Sequence, residues 1–568
     1  MISKLRFFFP EINVKKLTLV ILVSVGYGIS TIITIYFVSN LIGILNSSSF
    51  IDPPIAIKFI INFMTSKLNI DFNQSYLFVS LIFLVSMLVL GLSKLFLISK
   101  ICAEARHDLS VKILNKILKT QKFPDDEKHQ GNLKSLILDE AQQIVKQLLK
   151  PVIEILTSSI FIIFLSIYLF FYNSNITIFI FIIFGSTYFI NFIIISSSVK
   201  KHGHLRFVNN NKRYAKIDDA FNLKLISTVL KTLNIFIEKY AILSKKMAFH
   251  QYKFDYISNA PKFFIEAIIF LSIFLLIFYG YSDGSSVNGN VKFAEILVVF
   301  SLTGLKILPE LQKIFLSFGL LKFGGSSQSG TLDLLSKNEF PIFEASIKKN
   351  SNINFNKLIL NFTCDSCYKG ERKILNNIKF KLFDGDKVAI KGKSGAGKTT
   401  LINAIMGISP IKIGDGNYFF NSNINFGYVP QETYLFSGSI LENITMGRTS
   451  DANKLKHIHH QSSKLFSEFT VEKIKDFLDR NIEDVSEGLS VGQKQRIGLL
   501  RAIYDHPEVL ILDEFTSALD EKNEEIIINF VNQLKTFKSL IIIGHREKST
   551  KICHDIYIVE NGNLIKKK

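Results

Sequence analysis

The stretch "KVAIKGKSGAGKTTLINAIMG", Lys387–Gly407, decides the fold of the second part of this chain. It opens with an apolar strand, "KVAI", and continues into the spacing Gly392-x-x-x-x-Gly397-Lys398-Thr399 at the start of a predicted helix. A loop of this kind wraps its backbone around phosphate, because its glycines allow the close approach. The stretch therefore predicts a P-loop in an α/β domain.

The side chains of this loop indicate a nucleoside triphosphate, ATP or GTP, bound with Mg²⁺. Lys398 would offset the charge of the β- and γ-phosphates, and the hydroxyl of Thr399 would coordinate the metal ion. The predicted nucleotide-binding residues of the loop are Gly392, Lys393, Ser394, Gly395, Ala396, Gly397, Lys398, Thr399 and Thr400.

Two more apolar runs predict strands that end beside the loop. The run "VLILDE", Val509–Glu514, is typical of a buried parallel strand that ends in two carboxylates, at the sheet edge where ligands bind in α/β folds. Asp513 would hold the Mg²⁺ shell, and Glu514 would polarise an attacking water. The run "LIIIGHRE" contains a further strand, Leu540–Ile543, which delivers His545 to the same edge.

A second phosphate-binding turn lies further along the chain. The segment "VSEGLSVGQKQRIGLLRA", Val485–Ala502, contains the turn Leu489-Ser490-Val491-Gly492-Gln493 and then a helix rich in Arg and Leu. A glycine-containing turn before a helix also presents backbone N–H groups to an anion. One chain thus carries two turns for phosphate, of which the first is far better equipped.

The first part of the chain predicts a membrane domain. Residues before about 335 contain long apolar runs, and about 20 apolar residues are needed to cross a bilayer. We predict domains at residues 1–335 and 336–568, and an even number of spans, because the chain then returns to its starting side. The six predicted spans are Leu17–Leu45, Tyr76–Ile98, Pro151–Tyr172, Ile176–Ile195, Phe263–Tyr281 and Phe293–Leu308.

The formal net charge of +19 is distributed as in a membrane protein. Cytoplasmic loops carry the excess of Lys and Arg, and the segments Lys100–Lys150 and Lys200–Lys262 are strongly basic. The turn Asn173–Asn175 has no basic residue, and Asn46–Ser75 has few. The sequence therefore predicts a multi-pass protein of the inner (plasma) membrane, with its N-terminus and P-loop domain in the cytoplasm, and it argues against a nucleic-acid partner.

The two basic segments show helical periodicity, which predicts that the spans continue into the cytoplasm as long helices. We expect these helices to turn at two charged clusters, "KFPDDEKH" (Lys122–His129) and "KRYAKIDDAF" (Lys212–Phe221). Solvated loops are the alternative for these clusters.

Other features of the first part concern lipid and cargo. The outer segment Pro53–Leu68 is too short to span but amphipathic enough to lie in the membrane interface and contact lipid. Charges within the spans, at Lys94, Glu266 and Lys306, indicate a cavity for a substrate. The two lysines could instead extend to the interface near a helix end.

In combination, these motifs resemble those of an ATP-binding cassette exporter half-transporter, and the resemblance covers nearly the whole chain. It implies an α-helical six-span transmembrane domain with long cytoplasmic helix extensions, fused to an α/β P-loop nucleotide-binding domain. It also implies ATP as the nucleotide and ATP hydrolysis coupled to transport. In that family the pentapeptide around Ser490 is the signature motif, which completes the ATP site of the partner cassette. The two turns would therefore serve two ATP molecules in a dimer.

The resemblance also implies roles for single residues. Glu514 resembles the catalytic base, and His545 resembles the switch histidine that contacts the γ-phosphate. Gln431, in "GYVPQETYLF", resembles the glutamine that touches Mg²⁺ and senses the membrane domain. The implied metal ligands are Thr399, Gln431 and Asp513.

The remaining implied contacts concern adenine and the dimer interface. Tyr368, in "CDSCY", resembles the aromatic residue that stacks on adenine, and Asp520, in "SALD", resembles the D-loop aspartate. Ser490, Gly492 and Gln493 would reach the γ-phosphate of the nucleotide held by the partner chain.

The chain departs from the family pattern at Val491, which replaces the usual first glycine of the signature. The segment between Lys398 and Gln431 is also shorter than usual. No catalytic position is degenerate, which favours a homodimer with two competent sites over a heterodimer.

The cargo is the least defined part of the prediction. The segment "LKILPELQKIFLSFGLLKF", Leu305–Phe323, resembles a branch of bacterial exporters that includes lipid-linked oligosaccharide flippases. This resemblance implies an amphiphile whose polar head crosses a cavity while its tail stays in the bilayer. Peptides and small hydrophobic compounds are alternative cargoes. A regulatory membrane protein that binds ATP without transport is a further alternative, against which Glu514 and His545 argue.

Overall fold

The computed structural model describes most of the chain in two compact units, one ending at Ser336 and the other beginning at Leu358. The predicted interface segment Pro53–Leu68 and the predicted cluster Lys122–His129 lie outside the described residues. The described residues are 2–10, 14–46, 72–119, 136–282, 287–336, 358–369, 372–406, 411–413, 418–420, 424–448, 451–466, 469–482, 488–517 and 519–567.

The first unit is helical, because a chain in a membrane must satisfy its backbone N–H and C=O groups within each segment. All six predicted spans lie within its long helices. The helices are α1 (Ile2–Phe8), α2 (Val14–Asn46), α3 (Phe72–Lys119), α4 (Ala141–Ile144, between π-helical turns at Leu136–Glu140 and Val145–Leu149), α5 (Lys150–Tyr172), α6 (Ser174–Asn222), α7 (Lys224–Val229), α8 (Leu233–Ser282), α9 (Val287–Phe323) and α10 (Gly325–Ser336).

Three stretches in the described part of the chain are long and apolar enough to cross a membrane: Val14–Ser39, Gln74–Leu118 and Ile137–Tyr172. On α3, large side chains such as Leu81 and Leu88 are exposed rather than packed in a core. An exposed apolar helix face suits contact with lipid tails.

Small residues let the helices of this unit approach one another. Helix α2 packs against α3 and α5. A Cβ placed on Gly91 would lie 3.2 Å from the ring of Tyr27, and one placed on Gly28 would lie 3.6 Å from Cβ of Phe164. Such close contacts hold membrane helices together where no hydrophobic effect drives them.

The turn between α6 and α8 lies later than predicted. The cluster Lys212–Phe221 is the last part of α6, where Lys216 and Asp219 form an ion pair of 2.5 Å one turn apart. Pairs at this spacing stabilise a helix. The chain leaves α6 at Leu223, forms α7 and turns at Lys231, whose φ is 56°. The prediction that this cluster forms the tip is therefore wrong by one short helix.

The second unit is built on a six-stranded sheet of order β12-β11-β3-β10-β9-β6, beside a smaller antiparallel sheet of β1, β2, β4 and β5. In the larger sheet every neighbouring pair is parallel except β11 with β12. The strands are β1 (Leu358–Lys369), β2 (Arg372–Phe383), β3 (Lys387–Lys391), β4 (Ile411–Ile413), β5 (Tyr418–Phe420), β6 (Phe426–Val429), β7 (Gly438–Ser439), β8 (Asn481–Ile482), β9 (Val509–Asp513), β10 (Ser539–Ile543), β11 (Asp555–Glu560) and β12 (Asn563–Lys567).

Helices and two hydrophobic cores surround this sheet. In β9, Leu510 and Leu512 belong to one core, whereas Val509 and Ile511 belong to the other. Successive side chains of a strand point to opposite faces, so a strand covered on both faces is apolar throughout. The helices are α11 (Lys398–Ile405), α12 (Ile440–Thr445), α13 (Ala452–Leu465), α14 (Val471–Asp479), α15 (Val491–Ile503), α16 (Glu521–Gln533) and α17 (Glu547–Thr550).

Candidate functional site

Parallel pairing aligns the ends of three strands at one edge of the sheet. Ile543 of β10 pairs with Asp513 of β9 on one side and with Ile390 of β3 on the other. The P-loop follows β3, Glu514 follows β9 and His545 follows β10. The register therefore brings the loop, two carboxylates and a histidine to the edge at which parallel sheets bind their ligands.

Two glycines shape the P-loop where a side chain would not fit. A Cβ on Gly392 would lie 2.5 Å from the carbonyl oxygen of Val559 in β11. Gly397 has φ 101° and precedes α11, and a Cβ there would lie 2.9 Å from Cδ2 of Leu375. Glycine is favoured at both positions, because it tolerates positive φ and leaves room for neighbouring atoms. The loop is thus shaped to expose backbone N–H groups.

Lys398 lies at the centre of the site and is only 6% exposed. Its Nζ donates to the carbonyl oxygens of Gly392 at 2.8 Å and Lys393 at 3.4 Å. The same Nζ lies 2.9 Å from Nε2 of His545 and 3.6 Å from Oε1 of Glu514. One buried ammonium thus joins the loop to the residues that follow β9 and β10.

Glu514 lies just beyond the end of β9, so the strand is one residue shorter than the predicted run. Its φ is 43°, a backbone conformation that residues with a side chain rarely adopt. The backbone stabilises this conformation, because the N–H of Glu514 donates to Ile543 at 2.9 Å and its carbonyl accepts from Ser517 at 3.0 Å. Its Oε1 lies 4.0 Å from Nε2 of His545.

Asp513 is a buried carboxylate, 5% exposed, that accepts a hydrogen bond of 3.2 Å from the hydroxyl of Tyr428. Burial raises the pKa of the Asp513 carboxyl above its ordinary value, although the bond from Tyr428 opposes that shift. Burial also raises the pKa of Tyr428. Tyr428 was not predicted from the sequence, because its contact with Asp513 depends on the pairing of β6 with β9.

The residues at this edge fit a magnesium ion. Mg²⁺ prefers oxygen ligands, and Asp513 and Thr399 offer a carboxylate and a hydroxyl at the end of β9 and the start of α11. A divalent cation would also compensate the buried charge of Asp513. Gln431 is exposed and follows β6, whose Val429 pairs with Leu512 of β9, so it approaches the same edge.

The remaining loop residues lie at the surface. Lys393, Ser394, Gly395 and Thr399 are exposed, whereas Ala396 and Thr400 are half-buried. An exposed concave loop above a buried lysine leaves space for phosphate groups next to the backbone.

Ser490 begins α15 through a reciprocal capping arrangement. Its hydroxyl accepts from the N–H of Gln493 at 3.2 Å, and the Gln493 side chain accepts from the Ser490 N–H at 3.0 Å. The spacing Ser-x-x-Gln is a sequence signal for a helix start. Ser490 and Val491 are exposed, whereas Gly492 is buried and a Cβ there would meet Leu519 at 3.4 Å.

The helix that the signature begins contacts the segment around Asp520. Arg496 of α15 donates to Oδ1 of Asn523, and Nδ2 of Asn523 donates to Asp520 at 2.5 Å. Arg546 donates to the carbonyl of Leu519 at 3.1 Å and to Glu524 at 2.8 Å. Asn523 and Arg546 were not predicted. Arg546 directly follows His545, and this position is the signal that could have indicated its contact with the segment around Asp520.

Tyr368 lies in β1, where its backbone pairs with Lys373 of β2 and Lys412 of β4. An irregularity in the register separates it from Cys367. The side chain of Tyr368 is outside the described part of the structure.

The charged residues predicted in the spans occupy different surroundings. Lys94 is 9% exposed, and its Nζ lies 3.9 Å from Oε2 of Glu310, a residue that was not predicted. Glu266 lies 3.7 Å from Lys262 of the same helix. Lys306 is half-buried in α9.

Comparisons with known families match both units. A family model described as ABC transporter matches residues 375–517, and one described as ABC transporter transmembrane region matches residues 17–307, more than half of the chain. The structure also resembles that of a bacterial Atm1-family ABC exporter with ATP bound, with a TM-score of 0.69 and 18% identity. The likeness covers 95% of this chain and 94% of that one, and at this identity it shows the fold.

Two curated relatives match shorter parts of the chain. An export ATP-binding/permease protein of Rickettsia bellii is 29% identical over 326 residues, which cover 53% of this chain and 52% of that protein. The ATP-dependent lipid A-core flippase of Coxiella burnetii is 35% identical over 206 residues, 35% of each chain. The chain thus spans about half the length, or less, of these relatives.

Proposed function

The chain belongs to the ABC transporter family, and on that premise we propose that it is an ATP-driven exporter that acts as a dimer. The observation that carries this proposal is the cluster of Lys398, Glu514 and His545, in which one buried ammonium lies within 3.6 Å of the other two side chains. A merely structural lysine would not need both a carboxylate and a histidine beside a loop open to solvent.

The residues of this cluster divide the chemistry of ATP hydrolysis. Lys398 exchanges its carbonyl partners for phosphate oxygens when ATP enters the loop, because charge-assisted bonds to phosphate are stronger. Glu514 orients and polarises the attacking water, and His545 donates to the γ-phosphate. Tyr368 stacks on adenine.

Thr399, Gln431 and Asp513 would hold Mg²⁺. Bound Mg²⁺ would supply charge neutralisation at the β- and γ-phosphates. The chain itself keeps Asp513 in place through the hydrogen bond from Tyr428.

The proposed dimer is based on the signature motif around Ser490. Ser490 and Gln493 cap α15, Gly492 lies beside Leu519 and Asn523, and Asp520 accepts from Asn523. We propose that Ser490, Gly492, Gln493 and Asp520 complete the ATP site of the partner chain. Since each catalytic position is intact, a homodimer is favoured, with a heterodimer as the alternative.

The membrane domain comprises residues 1–335 in this proposal, and the nucleotide-binding domain comprises residues 336–568. The basic segments support an orientation with the N-terminus and the nucleotide-binding domain on the cytoplasmic side of an inner membrane. ATP binding closes the dimer and turns the cavity outward, and hydrolysis resets it.

An amphiphile such as a lipid-linked oligosaccharide is the proposed cargo. The Coxiella relative is named for the lipid A core, which is also an amphiphile. Peptides and small hydrophobic compounds are the second candidate class, and an ATP-binding regulator without transport is the third.

Replacing Glu514 tests the ATPase assignment directly. In full-length chain reconstituted in nanodiscs, Glu514→Gln should lower ATP turnover at least about a hundredfold, because general base catalysis contributes that much. The variant should still form the ATP-bound dimer. Glu525→Gln, an exposed carboxylate on α16, is the matched control and should turn over normally. Normal turnover in Glu514→Gln would refute the assignment.

The cargo needs a cellular measurement. Cells that lack the protein are complemented with the native chain or with Glu514→Gln, and the lipid-linked glycans on the cytoplasmic side are measured. Accumulation relieved only by the native chain would support the amphiphile. An unchanged glycan pool beside normal ATP turnover would direct the search to peptides and small hydrophobic compounds.

A further inference from the structure

A cavity of about 610 Å³ lies between α2, α3, α5 and α9 of the membrane unit. Five basic and two acidic side chains line it, namely Lys94, Arg106, Lys146, Lys150 and Lys313 with Glu154 and Glu310. The lining therefore carries an excess of positive charge. Apolar residues such as Leu95 and Ile98 and uncharged polar residues such as Thr157 and Ser158 form the rest of the wall.

The acidic residues hold the lysines in position. Oε1 of Glu310 accepts from Lys313 at 2.6 Å, while its Oε2 accepts from the hydroxyl of Ser158 and lies 3.9 Å from Lys94. Glu154 lies 3.7 Å from Lys150. A buried charge is costly unless it is paired, and Glu310 lies close enough to pair with Lys94, whose side chain is 11% exposed. Lys313 and Lys150 are half-exposed and accessible from the cavity.

Three lysines of the cavity lie near the ends of three predicted spans. Lys94 is near the end of the span Tyr76–Ile98, Lys150 directly precedes the next span, and Lys313 follows the last one. These three helix ends meet on the side that the basic loops place in the cytoplasm. An amphiphile with its polar head at this level would have the apolar parts of the same helices beside its tail.

We propose that this cavity binds a phosphate ester, or an equally compact anion, through Lys94, Lys150 and Lys313. This inference rests on the proposed exporter function and defines the chemistry of its cargo. The ammonium of Lys is a compact charge that suits phosphate. Glu310 competes with the ligand for Lys94 and Lys313, and it therefore sets the affinity of the site.

Binding of dodecyl phosphate to the full-length chain in nanodiscs of neutral lipid, without ATP, tests the proposal. Dodecyl maltoside has the same tail with a neutral head, and inorganic phosphate has the head without a tail. We expect dodecyl phosphate to bind, and Lys94→Gln and Lys313→Gln to weaken it about tenfold each, the usual effect of one charge-assisted hydrogen bond. Lys100→Gln, an exposed lysine on α3 that does not line the cavity, should leave binding unchanged.

Glu310→Gln separates a binding site from a structural ion pair. It should tighten dodecyl phosphate binding, because the competing carboxylate is gone. If Lys94→Gln unfolds, the double variant Lys94→Gln/Glu310→Gln removes the pair without an unpaired charge and should still bind more weakly than Glu310→Gln. Because no ATP is present, failure of this site and failure of the proposed ATPase are distinguishable.

Each outcome has one meaning. Equal binding of inorganic phosphate and dodecyl phosphate would support the anion site and identify free phosphate as its ligand. Stronger binding of dodecyl phosphate would identify a lipid headgroup. Equal binding of dodecyl maltoside, or lysine variants that bind dodecyl phosphate normally, would overturn the proposal.

Discussion

A buried lysine faces a glutamate in each of the two units. In the nucleotide unit, Nζ of Lys398 lies 3.6 Å from Oε1 of Glu514, and in the membrane unit, Nζ of Lys94 lies 3.9 Å from Oε2 of Glu310. Both lysines are less than a tenth exposed. Desolvation of two charges offsets much of their attraction, so the additional partners decide what each pair does.

The additional partners differ in kind. Lys398 also donates to two backbone carbonyls, and Glu514 occupies a backbone position determined by strand register. Glu310 is held by side chains, among them Ser158 of α5 and Lys313 of α9. The first pair therefore depends on local backbone geometry, whereas the second depends on how three helices pack.

The largest effect is expected from breaking the membrane pair. Glu310→Gln leaves Lys94 buried without its carboxylate and should lower the free energy of unfolding by about 3 kcal/mol. The double variant Lys94→Gln/Glu310→Gln should recover most of this loss. Thermal unfolding of the nanodisc-embedded chain measures both. If the single and the double variant are equally destabilised, the two side chains do not interact.

Changing Lys398 in the nucleotide unit should lower the affinity for ATP. Lys398→Met removes the ammonium that binds phosphate, and ATP affinity should fall by about 2 kcal/mol, since a hydrogen bond to a charged group contributes about this much. Lys393→Met, a change in an exposed side chain of the same loop, should cost less. Equilibrium binding of ATP to the two variants compares them. Equal losses would show that the central position of Lys398 has no special role.

The backbone dependence of the nucleotide unit can be tested at one glycine. Gly397→Ala places a Cβ at φ 101° and 2.9 Å from Leu375, and it should destabilise the loop by about 1 to 2 kcal/mol. Gly385→Ala, also at positive φ but with nothing within 4 Å, isolates the backbone cost from the contact. Chemical unfolding monitored by circular dichroism would give both values. Equal effects would mean that the contact with Leu375 is unimportant.

The smallest expected effect is a dependence of the stability of the nucleotide unit on pH. Burial raises the pKa of Asp513 in the folded chain, so this carboxyl keeps its proton to a higher pH than in the unfolded chain. Between the ordinary and the raised pKa, the unfolded chain binds fewer protons, and stability should decrease as the pH rises. Asp513→Asn should remove this contribution. Unfolding of nucleotide-free chain over a pH series measures the slope, and an unchanged slope in Asp513→Asn would contradict the assignment.

Much of the nucleotide site could be predicted, because its parts follow strands whose apolar runs are visible in the sequence. Glu514 and His545 were expected at one edge, and parallel register places them there with Lys398. Tyr428 was missed, because its hydrogen bond to Asp513 depends on which strand lies beside β9. The turn after α6 was misplaced, because a charged cluster can continue a helix as well as end it.

The sequence by itself determined the P-loop, the apolar spans and the family, since glycine spacing, strand length and hydropathy are local properties of the chain. In the membrane unit, only the tertiary structure decided which charges meet. Ser158 and Glu310 are 152 positions apart, and no local pattern pairs either of them with Lys94. Helix packing brings them together, because a charge buried among apolar helices is stable only where other helices supply its partners.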